Sequence, residues 1–424
     1  MKEERKKPDS SLTGKLALFL GLRRSIAAVL GAVIFIGMGE RMAEKFLPLY
    51  LVALGGGAIS VGLLNAMDNL LSALYAFPGG YLADRLGTKR ALLIFNIMAM
   101  SGFLVVIAVP RWEAVIAGAV LFLSWSAISQ PATMSLVGRA LPREKRTMGV
   151  SMHSLVRRIP MALGPLAGGG LIDLWGVTDG VRAAFIAAFA MGAVALIMQQ
   201  RMIKDDSSRE FLSTPEKNPF RLLRRMHPGL KNLLVSDILI RFCEQIPYAF
   251  VVLWCVKYIA QPVTAFQFGI LTTVEMAVAI LVYIPVAYLA DRGGKKPFVV
   301  MTFVFFTLFP LVLLFCRSFV WLAAAFALRG LKEFGEPTRK SIIVDLAPED
   351  HRASVYGTYY LARDSIVSIA AFGGAFLWMI SPATNLLTAF SFGVLGTVWF
   401  ALRGRDLTVS RHIEDNRPVD KGGL

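Results

Sequence analysis

"VGLLNAMDNLLSALYAFPGGYLADRLGTKR", residues 61–90, and "FGILTTVEMAVAILVYIPVAYLADRGGKKP", residues 268–297, are one pattern written twice. In register, Asp68 falls on Glu275, Pro78 on Pro285, and Asp84-Arg85 on Asp291-Arg292. Each copy opens as an apolar run near twenty residues, the length that crosses about 30 Å of hydrocarbon as a helix. Each closes on Asp-Arg and a cluster of basic residues. The repetition extends further: "PATMSLVGRALPREKR" matches "PTRKSIIVDLAPEDHR", Arg157 falls on Arg363, and "RMAE" at 41–44 falls on "RFCE" at 241–244. The chain is therefore two copies of one membrane unit.

Composition agrees. Of 424 residues, 55% are hydrophobic and only 17% charged, where a soluble domain carries about 25%. Mean hydropathy is +0.59. Alternating ten-residue segments, the mark of a lipid-spanning β-barrel, do not occur. The expected fold is all-α: a polytopic membrane protein with twelve transmembrane helices in two pseudo-symmetric six-helix bundles. The expected spans are 25–54, 60–83, 90–109, 113–137, 149–175, 181–199, 232–259, 265–290, 297–315, 318–345, 355–380 and 383–402.

The domain organisation follows. Residues 1–24 form an N-terminal tail, 25–199 the first bundle, 200–231 a polar linker, 232–402 the second bundle and 403–424 a C-terminal tail. The net charge of +16 does not point to nucleic acid, because the basic residues sit in short connections. Arg85, Lys89, Arg90, Arg139, Arg143, Lys145, Arg146, Arg292, Lys295, Lys296 and Arg352 fall on one side, while "GGGAIS", "AQPVTA" and "SPATN" fall on the other. The positive-inside rule makes the basic side, the linker and both termini cytoplasmic. Cys243, Cys255 and Cys316 lie within spans and read as small buried apolar residues. No cleavable signal peptide is read at the N-terminus.

"GGYLADRLGTKRALL" between spans two and three resembles the signature that the major facilitator superfamily carries at that loop. "GPLAGG" in span five resembles the motif of its antiporter branches, so the drug/proton antiporter-like branch is the one indicated. Parallel six-span repeats about an axis along the membrane normal are also this class's plan. The resemblance implies a gating role for Gly80, Asp84, Arg85 and Gly87, with Asp291 and Arg292 as their counterparts. In the second motif, Gly164, Pro165, Gly168 and Gly169 combine tight helix packing with a proline-freed carbonyl. Span four departs from the pattern: "LFLSWSAISQP" lacks the membrane arginine of many proton-coupled members, and the second half places Arg329 at the corresponding point.

Charges inside the spans mark cavities and transport paths, since isolated ions in hydrocarbon are costly. Arg41 and Glu44, three residues apart, share a helix face, and Arg241 and Glu244 repeat them. In span ten, Arg329, Lys332, Glu333 and Glu336 are spaced for Arg329–Glu333 and Lys332–Glu336 pairs. The candidate substrate-binding residues are Arg41, Arg241, Arg329 and Lys332. The candidate proton-coupling residues are Glu44, Glu244, Glu333, Asp68 and Glu275. Arg157, Arg158, Arg363, Asp364, Glu40, Lys45 and Asp237 complete the buried set. The arginines of spans one and seven resemble the phosphate-clamping pair of organophosphate exchangers.

The function expected is secondary active transport of a small polar or charged solute by alternating access, through proton-coupled export, in the inner membrane of a prokaryote. The alternatives are an importer or exchanger of organic anions or organophosphates, and a non-transporting membrane sensor. No nucleotide-binding GxxxxGK[ST] sequence appears, and no catalytic set is discernible, so an enzyme is not expected. The expected partners are the lipid bilayer, the solute and protons; no cofactor, metal or nucleic acid is expected, and the chain is read as a monomer.

Overall fold

The computed structural model describes residues 24–86, 88–123, 146–202, 223–224, 226–293, 295–346 and 352–404. Among them there are helices and short connections, and no strand. The first half contributes α1 (Arg24–Glu44), α2 (Leu47–Ala53), α3 (Ala58–Leu86), α4 (Thr88–Ala108), α5 (Trp112–Phe122) and α6 (Arg146–Met202). The second contributes α7 (Pro228–Tyr248), α8 (Val251–Leu253) with a π turn (Trp254–Tyr258), α9 (Ala265–Gly293) and α10 (Lys296–Phe315). It continues with α11 (Phe319–Gly330), a 3-10 turn (Leu331–Glu333), α12 (Glu336–Asp345), α13 (Arg352–Ile380) and α14 (Pro382–Arg403).

The helix ends follow local chemistry. α6 is two spans, because Gly176 takes φ 80° and ψ 172°, a left-handed backbone that glycine adopts without Cβ strain. The chain reverses there, bringing Gly180 back against Leu171 and Ile172. This is the expected boundary between 149–175 and 181–199. The first span of each half is broken just beyond its Arg-x-x-Glu pair. Pro48 opens α2 after a turn at Lys45–Phe46, and Pro247 precedes a 42° bend between α7 and the segment Val251–Tyr258. Proline lacks the N–H that would continue the ladder, so the repeat preserves the break as well as the charges. Span ten breaks too, through the 3-10 turn and Gly335, whose close approach to the Phe298 carbonyl leaves no room for a Cβ.

Six described helices are long and apolar enough to cross a membrane, or seven with the bent α7 pair counted as one span. Twelve spans are consistent with this, because α6 counts once though it holds two and the charged spans fall short on composition. Large apolar side chains such as Leu174, Leu281, Phe315 and Ile369 are exposed, at 72–75%, as lipid-facing positions are.

Within the first half α1 packs along α6, and within the second α7 packs along α14. Two extensive helix contacts join the halves, α6 with α9 and α3 with α13, and α2 touches α8 between them. Both junctions depend on small residues. Gly269 meets Pro165 and Leu166, Gly169 meets Ala265, and Gly62 meets Ala375. These contacts lie toward the helix ends that carry the 55–57 and 259–264 connections, which closes that end of the space between the halves.

Candidate functional site

Many of the charged residues read from the sequence line or adjoin the space between the halves, but their partners differ from the expected ones. The Arg41 guanidinium donates to Glu44 Oε1 at 2.8 Å and lies 2.7 Å from Oε2. Arg241 repeats this with Glu244. Glu244 is also bound by Lys332, Nζ to Oε1 at 3.0 Å. Lys332 reaches Glu275 Oε1 at 3.1 Å, and Arg329 Nε approaches the same oxygen at 3.4 Å. The result is an alternating chain, Arg241–Glu244–Lys332–Glu275–Arg329, joining spans seven, ten and eight. It carries one more cation than carboxylate. The Arg329 guanidinium lies 4.8 Å over the Phe309 ring, 5.7 Å from Phe326 and 5.6 Å from Tyr248, and ring faces of that kind stabilise a desolvated cation.

The intrahelical pairs Arg329–Glu333 and Lys332–Glu336 do not form. The 3-10 turn at Leu331–Glu333 and the break at Gly335 rotate the register that i,i+4 spacing needs. Glu333 instead binds Arg158 of the other half at 3.0 Å. Glu336 accepts twice from Arg339, at 3.0 and 2.7 Å, and lies 3.4 Å from Lys340. Arg339 also pairs with Asp237, the centre of a second network. Asp237 accepts from Tyr359 at 3.0 Å and from Arg363 at 3.3 Å. Arg363 in turn binds Asp364 at 2.7 Å. Asp237 is 1% exposed, Arg339 2% and Arg363 5%, and none of the three lines either cavity described below. This cluster joins spans seven, ten and eleven within the second half.

Two cavities flank the alternating chain. The larger, about 570 Å³ when the adjoining open solvent is included, is lined by Glu44, Lys45, Asn65, Asp68, Tyr248 and Arg329 among others, with an apolar wall from Leu47, Leu64 and Phe268. The smaller, about 300 Å³, is lined by Glu244, Phe305, Phe306, Phe309, Arg329 and Lys332 among others. Arg41 and Arg241 line neither cavity, because each is turned onto its own glutamate.

Several residues that hold the site together carried no sequence signal. The α7 bend strips the Gln245 and Ile246 carbonyls of their helical donors. Asn65 of the opposite half takes the first at 2.7 Å, and Asn385 the second at 3.2 Å. Asn69 adds a bond to the Gln245 side chain at 3.2 Å. Lys45, one of the buried charges read from the sequence, crosses the halves to the Tyr248 hydroxyl at 2.6 Å and lies 4.4 Å over its ring. Asp173, at the end of span five, accepts from Ala265 N–H at 3.0 Å and Phe266 N–H at 3.2 Å. It thus caps α9 of the other half with a carboxylate, which favours the positive end of a helix.

Motif positions fall as follows. Gly80, Asp84 and Arg85 are in the final turns of α3, and Asp291 and Arg292 in the last turn of α9, so these segments continue as helix where a loop was expected. Gly87 lies outside the described residues, as does span four beyond Leu123. In "GPLAGG", Gly164 lets α6 approach Arg41, Gly168 approaches the Met42 carbonyl, and Gly169 abuts Ala265 across the halves. Pro165 meets Gly269. The motif packs α1 in place and seals the junction with α9. The described cysteines are unpaired. No metal-ligand grouping occurs among the described residues.

Comparison with known proteins agrees with this architecture. An uncharacterized MFS-type transporter of Methanocaldococcus jannaschii is 21% identical over 82% of this chain and 87% of its own length. The multidrug resistance protein MdtG of Klebsiella pneumoniae is 26% identical over 67% of this chain and 68% of its own length. Among solved structures, a peptide transporter POT in complex with alafosfalin superposes with a TM-score of 0.76 at 14% identity, covering 96% of each chain. The human organic anion transporter MFSD10 gives 0.63 at 14% identity, over 89% of this chain and 99% of that one. At such identities the structures share the fold and no more. The family model of the Major Facilitator Superfamily matches residues 29–258 and 248–421, and the chain belongs to that superfamily of multi-pass membrane transporters.

Proposed function

We propose that this transporter exports a small polar or charged solute in exchange for protons, by alternating access in the cytoplasmic membrane of a prokaryote. The observation that carries this reading is Asp68. It lines the larger cavity beside Glu44 and, among the described residues, forms neither a hydrogen bond nor an ion pair. Glu44, Glu244, Glu275 and Glu333 each hold at least one cation and must release it before taking a proton. Asp68 has no such bond to break, so it is the coupling carboxylate, while the alternating chain organises the second half around it. The name of the multidrug resistance relative supports export. The organic-anion reading loses its main support, because Arg41 and Arg241 are each occupied by a glutamate.

The gating roles of Gly80, Asp84, Arg85, Gly87, Asp291 and Arg292 remain part of this proposal, as do cytoplasmic termini and a monomeric working unit. Proteoliposomes under an imposed pH gradient test it. Solute-dependent proton movement is expected in the wild type, and its loss in Asp68→Asn. Solute movement with no proton counterflow contradicts the coupling. A folded protein that moves no solute would favour a sensor.

A further inference from the structure

The larger cavity is lined by two ionisable groups of opposite sign, Lys45 and Asp68, that no ion pair among the described residues ties down. Around both cavities the ionic side chains are tied to one another: Arg41 to Glu44, Arg158 to Glu333, and Arg241, Glu244, Lys332, Glu275 and Arg329 in one chain. Lys45 and Asp68 stand outside these pairings. The Lys45 ammonium spends one donor on the Tyr248 hydroxyl and rests over that ring. An ammonium has three donors, and no carboxylate lies within ion-pair distance of this one among the described residues. Asp68, an acceptor on up to about four lone pairs, has none of them used by a described residue.

The two come from different helices, Lys45 from the break after α1 and Asp68 from the middle of α3. They line one cavity without bonding to each other. A buried charge is costly unless it is paired. A solute with a single charge would use one of these groups and leave the other, ammonium or carboxyl, without a partner. A solute bearing an ammonium and a carboxylate or phosphate would satisfy both, its cationic end on Asp68 and its anionic end on Lys45. We infer that the transported solute is a zwitterion, bound between Asp68 and Lys45 with its apolar part against Leu47, Leu64 and Phe268.

This inference rests on the transport reading above and adds to it a substrate class. It also makes coupling direct, because the solute's ammonium and a proton compete for the same carboxylate.

The test is thermal stabilisation of the full-length protein in detergent by three pools of metabolite-sized compounds: zwitterions, singly charged cations and singly charged anions. The zwitterion pool is expected to stabilise, and the methyl ester of each stabilising amino acid to bind about 10-fold more weakly or worse, as loss of a charge-assisted hydrogen bond predicts. Lys45→Gln should remove the difference between acid and ester, while Lys45→Arg should keep it. Asp68→Asn should abolish selection for the amine. The unliganded melting of each variant reports whether it is folded. The inference is overturned if the zwitterion pool stabilises no more than the singly charged pools, silence from all three included, or if acid and ester bind the wild type equally. Proton flux driven only by the cation pool would overturn the zwitterion site and leave proton-coupled transport standing. Zwitterion binding without proton movement would do the reverse.

Discussion

Asp173 of the first half accepts the Ala265 N–H of the second at 3.0 Å, with Phe266 N–H beside it at 3.2 Å. A helix of one bundle is therefore capped by a side chain of the other, and opening that end, as the proposed alternating access requires, would break the cap. Loss of such a cap costs about 1 kcal/mol, a shift of roughly 5-fold in a two-state population. Asp173→Ala should therefore populate the form open at that end. Spin labels at Trp175 and Gln261 in a cysteine-free background measure it: a longer distance component is expected to grow, and an unchanged distribution would show that the cap does not hold the gate.

Arg158 and Glu333 form a second link between the halves, at 3.0 Å and largely shielded from water. Arg158→Glu places two carboxylates together and should cost several kcal/mol in this closed form. Transport should fall by roughly tenfold or more, and adding Glu333→Arg should recover most of it. Failure of the swapped pair to recover activity would assign Arg158 to something other than this link.

A Cβ at Gly168 would overlap the Met42 backbone carbonyl. Backbone cannot step aside as a flexible side chain can, so Gly168→Val should cost about 1–3 kcal/mol and lower the melting temperature. Because α1 carries Arg41 and Glu44 and leads directly into Lys45, solute affinity should fall with it. Gly170, which faces only the Phe266 ring at 3.7 Å, is the control: Gly170→Ala should be nearly silent in both measurements.

Asp237 holds Arg339 and Arg363 deep inside the second bundle. Asp237→Ala leaves both guanidiniums buried without that partner, and breaking a buried pair typically costs about 3–5 kcal/mol. Thermal unfolding should show a large loss of stability. The cluster does not line either cavity, so the fraction that folds should bind solute with near-normal affinity.

Much of the architecture is legible in the sequence because membrane helices are specified by composition and by local punctuation. The repeated Arg-x-x-Glu pairs, the boundary at Gly176 and the proline breaks after Glu44 and Glu244 are all short-range features. The charged residues of the cavity are legible as a set for the same reason, since ions in an apolar span stand out. Their pairing is not legible. Lys332 and Glu336 look like an i,i+4 pair until the 3-10 turn rotates them apart, and Glu244 finds Lys332 from a helix 88 residues away. Asp173 and Asn65 give no signal at all, because their partners are backbone groups exposed by helix ends and bends that only the tertiary structure creates. Asp68 matters for what it lacks, which a sequence cannot state.

The central claim is that Asp68 gives up its proton when solute binds. Proton release on mixing the purified protein with a zwitterion that stabilises it, in weakly buffered detergent solution, measures this directly. The account predicts close to one proton released per solute bound by the wild type and none by Asp68→Asn. Solute binding with no proton release from the wild type, or equal release from Asp68→Asn, would contradict it.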